Sequence, residues 1–322
     1  MKILMSADWH INLRKKKIPH SWQVNRFKEL FSKLHELEKE TNFHIIAGDV
    51  FDTKPDNEEV CLFLEFLNHV SIPTFIIPGN HEATRKGKTF LENFTVYNAV
   101  KNDYVQIFTE NTNVTLTPGA MPIQFFPYNE MQLDNLPRYD PDAILVTHIR
   151  GEVSPHISPE YDFEKLRPWK LILLGDIHFA HKYKDFPAYY PGSPLNVAFD
   201  RTESNNYGVY VIDFDSIDNY EVNFINLDLP KLLRKKITVG EVMEKHERHH
   251  IIYEVIGSID ELSSIESHDL LDKKIAHSPT EGSVLKLDDK QTLAEELLVY
   301  LEHIQVDEIE KVMQEFADLN IS

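Results

Sequence analysis

The chain contains one cysteine, Cys61, in 322 residues. An internal disulfide is therefore excluded, and the composition fits a reducing compartment. Cys61 stands in an amphipathic segment, where a packed core thiol is expected rather than a nucleophile. No apolar run approaches the roughly 20 residues needed to cross a bilayer. No secretory signal pattern opens the chain, and no internal repeat or low-complexity tract is present. Positive charge is scarce. The 33 Lys and Arg stand against 52 Asp and Glu, giving a net charge of −19. That balance argues against a surface that grips nucleic acid throughout.

The deficit is unevenly spread. Residues 258–322 hold sixteen acidic and five basic side chains. Two basic clusters, Arg14-Lys15-Lys16-Lys17 and Arg85-Lys86-Gly87-Lys88, lie elsewhere. They are either solvated loops or a positive rim that attracts phosphates.

Five short clusters of metal-binding side chains each stand where an apolar strand runs out. They are Asp8-Trp9-His10, Gly48-Asp49, Gly79-Asn80-His81-Glu82, His148 and Gly175-Asp176-Ile177-His178. Strands that are apolar throughout are covered on both faces, as in α/β folds. Ligands at their exits gather at one edge of a sheet. Asp8 and His10, two apart on an extended chain, point to the same side. Asp, Asn and His donors suit borderline-hard divalent cations better than thiolate-bound zinc. Two such cations about 3.5–4 Å apart activate water and clamp a phosphoryl oxygen for in-line attack. The chemistry expected is phosphoester hydrolysis.

The order of elements supports this placement. Residues 1–100 alternate strand and helix, which predicts a parallel sheet with helices on both faces. Val24, Phe27, Leu30, Phe31, Leu34 and Leu37 mark one helical face. Asp56-Asn57-Glu58-Glu59 opens a second helix to about His69, and a third is expected around Thr89–Val100. Residues 103–128 are β-rich. Further strands end at His148 and Gly175. An alternating pair, Tyr207–Phe214 and Tyr220–Ile225, predicts a hairpin and, with the preceding strands, a second sheet packed on the first. The character changes near Pro230. We expect domains at 1–230 and 231–322, the second a smaller α+β unit. Its last part, Gln291–Asn320, reads as helical and acidic. That segment either closes the domain or docks a partner.

Taken together, Asp8-x-His10, Gly48-Asp49, Gly79-Asn80-His81-Glu82, His148 and Gly175-x-x-His178 resemble the calcineurin-like metallophosphoesterases over roughly residues 1–215. Gly48-Asp49-Val50-Phe51-Asp52-Thr53-Lys54-Pro55 and Tyr190-Pro191-Gly192-Ser193-Pro194, with Phe199 following, are similar to the SbcD-type DNA exonucleases within that superfamily. Thr53-Lys54 stands where its protein phosphatases carry Arg-Gly. The short length and acidic end resemble nuclease subunits of large tailed phages.

The resemblance implies a four-layer α/β/β/α sandwich with a smaller α+β capping domain. It implies that one cation takes Asp8, His10, Asp49 and His178, and that a second takes Asp49, Asn80, His148 and Asp176. His81 matches the catalytic imidazole, which stabilises or protonates the leaving oxygen. The superfamily usually has Gly-His-x-His where this chain has Gly175-Asp176-Ile177-His178, so Asp176 is either a harder ligand or an orienting group. The implied cofactors are two Mn²⁺ ions, with Mg²⁺ as the other candidate. The implied activities are 3′→5′ exonuclease action on double-stranded DNA and endonuclease action on single strands. The implied partner is an SbcC-type coiled-coil ATPase, with a homodimer also open, no membrane contact, and a cytoplasmic location (the bacterial host's for a phage protein). The competing expectations are a phosphoesterase for small nucleotides or phosphoproteins, and a non-catalytic scaffold for the ATPase.

Overall fold

The structure, a computed structural model, describes residues 1–96, 101–115, 121–153, 157–202, 204–276, 293–304, 306 and 309–318. Strands β1 (Lys2–Ser6), β2 (Phe43–Ala47) and β3 (Thr74–Ile77) alternate with helices α1 (His20–Glu38) and α2 (Asn57–His69). Phe27, Leu30, Phe31 and Leu34 form the buried stripe of α1, at the spacing that places them on one helical face. Asp56 caps α2 by accepting from the backbone N–H groups of Glu58 and Glu59, and the Glu59 side chain answers to Asp56 N. This capping box fixes where the helix starts. Cys61 departs from expectation. It lies on the exposed side of α2, because Leu62, Phe63, Phe66 and Leu67 supply the buried face.

A short hairpin, β4 (Ala83–Arg85) and β5 (Lys88–Thr89), precedes α3 (Glu92–Val96) and β6 (Val105–Ile107). The remainder of the helix expected to Val100 lies outside the described residues. Next come β7 (Thr112–Val114), β8 (Ile123–Phe126), α4 (Tyr128–Met131), β9 (Ile144–His148), β10 (Ile172–Gly175), β11 (His181–Lys182) and β12 (Ala188–Tyr190). The antiparallel hairpin β13 (Gly208–Ser216) and β14 (Asn219–Asn226) follows.

Two six-stranded sheets result. The first has the order β14-β13-β1-β2-β3-β6 and the second β11-β12-β10-β9-β8-β7. The hairpin therefore joins the first sheet, antiparallel to β1, and not the second. Alternate residues of each strand face opposite layers, as the pleat requires. Ile3, Met5, Ile45 and Phe75 meet Phe125, Ile144, Val146 and Leu173 between the sheets. Leu4, Ile46 and Ile76 face α1 and α2 on the other side. The outer face of the second sheet is covered by short pieces. Met131 of α4, Leu166 and Trp169 pack there on Phe126, Leu145, Ile172 and Leu174. The result is an α/β arrangement of two stacked sheets with a thin fourth layer.

The chain divides into two compact units. The first holds Met1–Lys235 and Glu244–Ile252, and the second Lys236–Met243 and Tyr253–Ser322. Strands β15 (Leu232–Thr238), β16 (His250–Gly257) and β17 (Leu271–Ala276) form a three-stranded sheet in that order. Within the second unit Val255, Leu262 and Leu271 make a small core with Ile237, Val239 and Ile265. Helix α5 (Ile259–Ser263) starts at a Ser258–Glu261 capping box. Helices α6 (Leu293–His303) and α7 (Ile309–Asp318) end the described chain. Among the described residues no helix is long and apolar enough to cross a membrane.

Candidate metal centre

Parallel pairing brings the carboxyl ends of β1, β2 and β3 to one edge of the first sheet, and those of β9 and β10 to one edge of the second. The loops that leave these ends are tied together by main-chain bonds. Asp8 N donates to Gly48 O at 3.0 Å, and His10 N donates to Asp49 O at 3.0 Å. Four non-glycine residues here have left-handed backbone: Asp8 (φ 55°), His10 (48°), Asp49 (51°) and Asp176 (103°). L-residues adopt such conformations only when their surroundings enforce them, and active sites collect them.

The first knot of side chains is Asp8, His10 and His178, whose donor atoms all lie within 4.8 Å of one another. His10 Nε2 and His178 Nε2 are 2.9 Å apart. His10 Nε2 also lies 3.6 Å from Asp49 Oδ2. His10 is fully buried, yet its Nδ1 makes no aligned hydrogen bond, facing Asp52 Oδ1 at 3.3 Å. The second knot is Asp8, Asp49 and His148. His148 donates Nδ1–H to Ala47 O at 2.7 Å, which leaves Nε2 aimed inward. That Nε2 is 3.2 Å from Asn80 Oδ1, 3.4 Å from Asp49 Oδ2 and 3.8 Å from Asp176 Oδ1. Asp49 thus stands in reach of both knots. Asp176 touches Asp8 through its main chain, donating N–H to the carboxylate at 3.0 Å.

The glycines of the motifs leave the space this requires. A Cβ on Gly48 or Gly175 would collide with the His148 ring, and one on Gly79 with the Asp49 carboxylate. Gly48 also has φ +86°, where glycine carries no steric penalty.

Electrostatics follow from the crowding of charge. Burial pushes the Asp8 carboxyl well above its ordinary range, and nearby Asp49 and Asp176 add to the push against the pull of His148. Burial likewise raises Asp176. Burial opposes ionisation of Asp49, but His148 and His10 outweigh it and hold Asp49 at about 2. Burial would discharge His148, yet Asp49, Asp8 and Asp176 hold its pKa well above the usual imidazole value. Burial and the neighbouring His10 lower His178 to about 4. Three carboxylates packed against three imidazoles, with two Nε2 atoms face to face, form a donor set suited to shared divalent cations. The oxygen and nitrogen donors, without sulfur, fit borderline-hard metals.

His81 stands at the rim of this set: with His10 and Asp49 it makes a third group whose donor atoms lie within 4.8 Å of one another. Its backbone N–H donates to Asp49 Oδ1 at 2.9 Å, and its Nδ1 lies 2.5 Å from Asp52 O. Its Nε2 is 3.9 Å from Asp49 Oδ2. A ring held through Nδ1–H by a carbonyl turns Nε2 toward the open side. There an open pocket of about 690 Å³ is lined by Asp49, Asn80, His81, Asp176, His178 and Arg150, among others.

Three further residues shape the site: Glu82 and Trp9, which lie within the sequence motifs, and Arg150, which lies outside them. Glu82 is fully buried, and its carboxylate accepts from Asp49 N, Phe51 N and Gly79 N at 2.7–3.0 Å. Burial and the charge of Asp49 raise it to about 7. Trp9 is fully buried between Asp8 and His10 and packs edge-on to Phe66, with its indole N–H on Ser6 Oγ. It anchors the loop from the opposite face. Arg150, two residues past His148, is on the pocket wall. The motif spacing exposed the Glu82 position, whereas nothing local marked Arg150. Of the two basic clusters, Arg14 is bound to Glu59 and Thr53, and Lys15 to Val197 O. Those two side chains brace loops. Arg85, Lys86 and Lys88 are exposed on the β4–β5 hairpin.

The sequence model of the calcineurin-like phosphoesterase family matches residues 1–180, more than half of the chain. The chain belongs to that family. It is 34% identical, over 332 aligned positions and 98% of each chain, to the probable exonuclease subunit 1 of Escherichia phage T5. It is 23% identical to the SbcD subunit of the SbcCD nuclease of Staphylococcus epidermidis, over 70% of each chain. Among solved structures, purple acid phosphatase PPD1 from yellow lupin aligns with a TM-score of 0.41 at 12% identity. That alignment covers 70% of this chain and 51% of the phosphatase.

Proposed function

We propose that this calcineurin-like phosphoesterase is the nuclease subunit of a DNA-processing complex, hydrolysing phosphodiester bonds with two divalent cations, Mn²⁺ by preference. The observation that carries the reading is the double knot around Asp49, with His81 beside it at the mouth of an open pocket. The full-length similarity to a phage exonuclease subunit directs it to DNA.

Asp8, His10, Asp49 and His178 would hold one cation, and Asp49, Asn80, His148 and Asp176 the other. When bound, such a pair lowers the pKa of water and neutralises phosphoryl oxygens. His148 and Asp49 are oriented before any cation arrives, by Ala47 O and by the main chain of His81. With Nδ1–H directed to Asp52 O, the His81 ring in its doubly protonated form would donate its Nε2–H to the leaving oxygen. Arg150 reaches a neighbouring phosphate from the pocket wall. An SbcC-type ATPase would supply further DNA grip to a chain of net charge −19. The activities proposed are 3′→5′ digestion of duplex ends and cutting of single strands, in a cytoplasm that is the bacterial host's for a phage protein. Residues 231–322 would cap this nuclease domain and face the ATPase.

The test is digestion of end-labelled duplex DNA with Mn²⁺, with and without the co-purifying ATPase, against a panel of small phosphoesters. Cleavage that disappears in His81→Ser is expected. Turnover of small phosphoesters with intact DNA would overturn the reading in favour of a small-molecule phosphoesterase. Removing residues 291–322 is expected to weaken ATPase capture and spare hydrolysis of bis-p-nitrophenyl phosphate.

A further inference from the structure

Phe179 directly follows His178 and lines the metal pocket. Its side chain is large and apolar, yet 48% of its surface is exposed. The backbone that carries it is braced. Ser193 N donates to His178 O at 3.0 Å. Gly192, at φ +77°, lets the chain pass so close that a Cβ there would strike the main chain of Phe179. An apolar ring is therefore held in water beside the cluster by two fixed contacts.

The ring is the first of a series. Phe179 and His181 meet edge to face at 6.2 Å between centroids, and His181 and Tyr183 at 4.8 Å. Tyr183 then meets Phe163 at 5.8 Å. These residues lead into a second open cavity of about 670 Å³, whose lining includes His181, Tyr183, Phe163 and Phe186 with Arg167, Lys182 and Lys184. The two cavities draw on adjoining stretches of chain. Ile157 and Ser158 line the first and Pro159 the second. Aromatic faces interleaved with cationic side chains are what unpaired nucleobases stack on, without regard to sequence.

We infer that Phe179 is a stacking platform for an unpaired base next to the scissile phosphate, and that the His181–Tyr183 cavity receives the single strand beyond it. The inference rests on the nuclease reading and names the form of the DNA: a strand with its bases splayed out, not an intact helix. An intact duplex keeps its bases stacked on one another and offers none to a side-chain ring. The chain would therefore engage frayed or separated ends.

The experiment uses the full chain in Ca²⁺ and a single-stranded oligonucleotide carrying 2-aminopurine at each position in turn, alongside matched abasic strands. Stacking quenches the probe fluorescence. Wild-type protein is expected to quench at one position and to bind the strand that is abasic there about tenfold more weakly, within the range for one base stack. Phe179→Leu, similar in size but without a π-face, is expected to lose the quenching and the base-versus-abasic difference together. Phe179→Tyr is expected to keep both.

Equal binding of base-containing and abasic strands by wild-type protein would overturn the platform. If Mn²⁺ then still supports cleavage of both strands, the nuclease reading stands without it. Failure to bind or cut any strand overturns both. Unchanged quenching in Phe179→Leu, with loss of ATPase capture, would assign the ring to a protein partner and also overturn the proposal.

Discussion

The buried carboxylate of Glu82 accepts the backbone N–H of Asp49 at 3.0 Å across 33 residues of sequence. The same group holds Phe51 N and Gly79 N. The loops after β2 and β3, which carry Asp49 and Asn80, are therefore fastened by one side chain that points away from the pocket. Glu82→Ala would strand three buried donors. At about 1–3 kcal/mol for each, a loss of about 3 kcal/mol or more is expected in urea unfolding. Glu82→Gln keeps one acceptor oxygen and should lose less. An unchanged midpoint for Glu82→Ala would show that the loops are held by other means.

Asp176 combines a raised carboxyl with φ +103°. Asp176→Gly relieves the backbone, whereas Asp176→Ala keeps the strain. Both retain the main-chain donation to Asp8. The glycine variant is expected to be more stable than the alanine variant by about 1–2 kcal/mol, while both lose affinity for the second cation. Calorimetric titration with Mn²⁺ after chemical denaturation controls would read the two effects separately. An unaltered Mn²⁺ titration would reduce Asp176 to an orienting group.

His81 reaches Asp49 by its main chain and the pocket by its ring. His81→Gln removes only the ring. A fall in turnover of about 10²–10⁴-fold is expected, the usual range for a positioned acid or base. Elemental analysis should still find the wild-type cation content. Loss of metal along with activity would make the imidazole a ligand.

Behind the Asp8–His10 loop, to which His44 and Ser6 connect it through Trp9, Glu38 is buried between His35 and His44, at 2.8 and 2.9 Å. Burial alone would raise its pKa, but the two imidazole hydrogen bonds outweigh it and hold Glu38 at about 2 against an ordinary 4.5. A depressed carboxylate adds stability that is present above its unfolded value and lost as pH falls through its folded one. Unfolding free energy should therefore decline between about pH 4.5 and 2, by up to about 3 kcal/mol from this group. Glu38→Gln should flatten that part of the profile. An identical pH profile in the variant would remove Glu38 from the acid response.

The fold class was legible because β1, β2, β3, β9 and β10 are apolar on both faces, and because helical spacing marked α1. Sheet membership of the β13–β14 hairpin was not, since pairing with β1 joins residues some two hundred positions apart and leaves no local trace. Cys61 was misjudged for a related reason. Amphipathic spacing identifies a helix, but the choice between flanking positions depends on which face meets the sheet. At the site, residue types and strand ends were readable. The left-handed backbone of Asp8, His10 and Asp49 was not, because tertiary bonds to Gly48 and Asp49 impose it against local preference. Arg150 and Phe179 were invisible for want of any repeating pattern.

The position of β1 has a consequence for synthesis. This strand carries the Asp8–His10 loop at its end and is flanked by β2 on one side and β13 on the other. The ribosome must deliver residues 208–216 before that second flank can form, and Asp176 and His178 before the ligand set is whole. Long-range strand pairing of this kind is slow. A nascent chain more than half made would therefore carry most of its motifs while the proposed centre is still incomplete, and the site closes only after nearly all of the first unit has been translated.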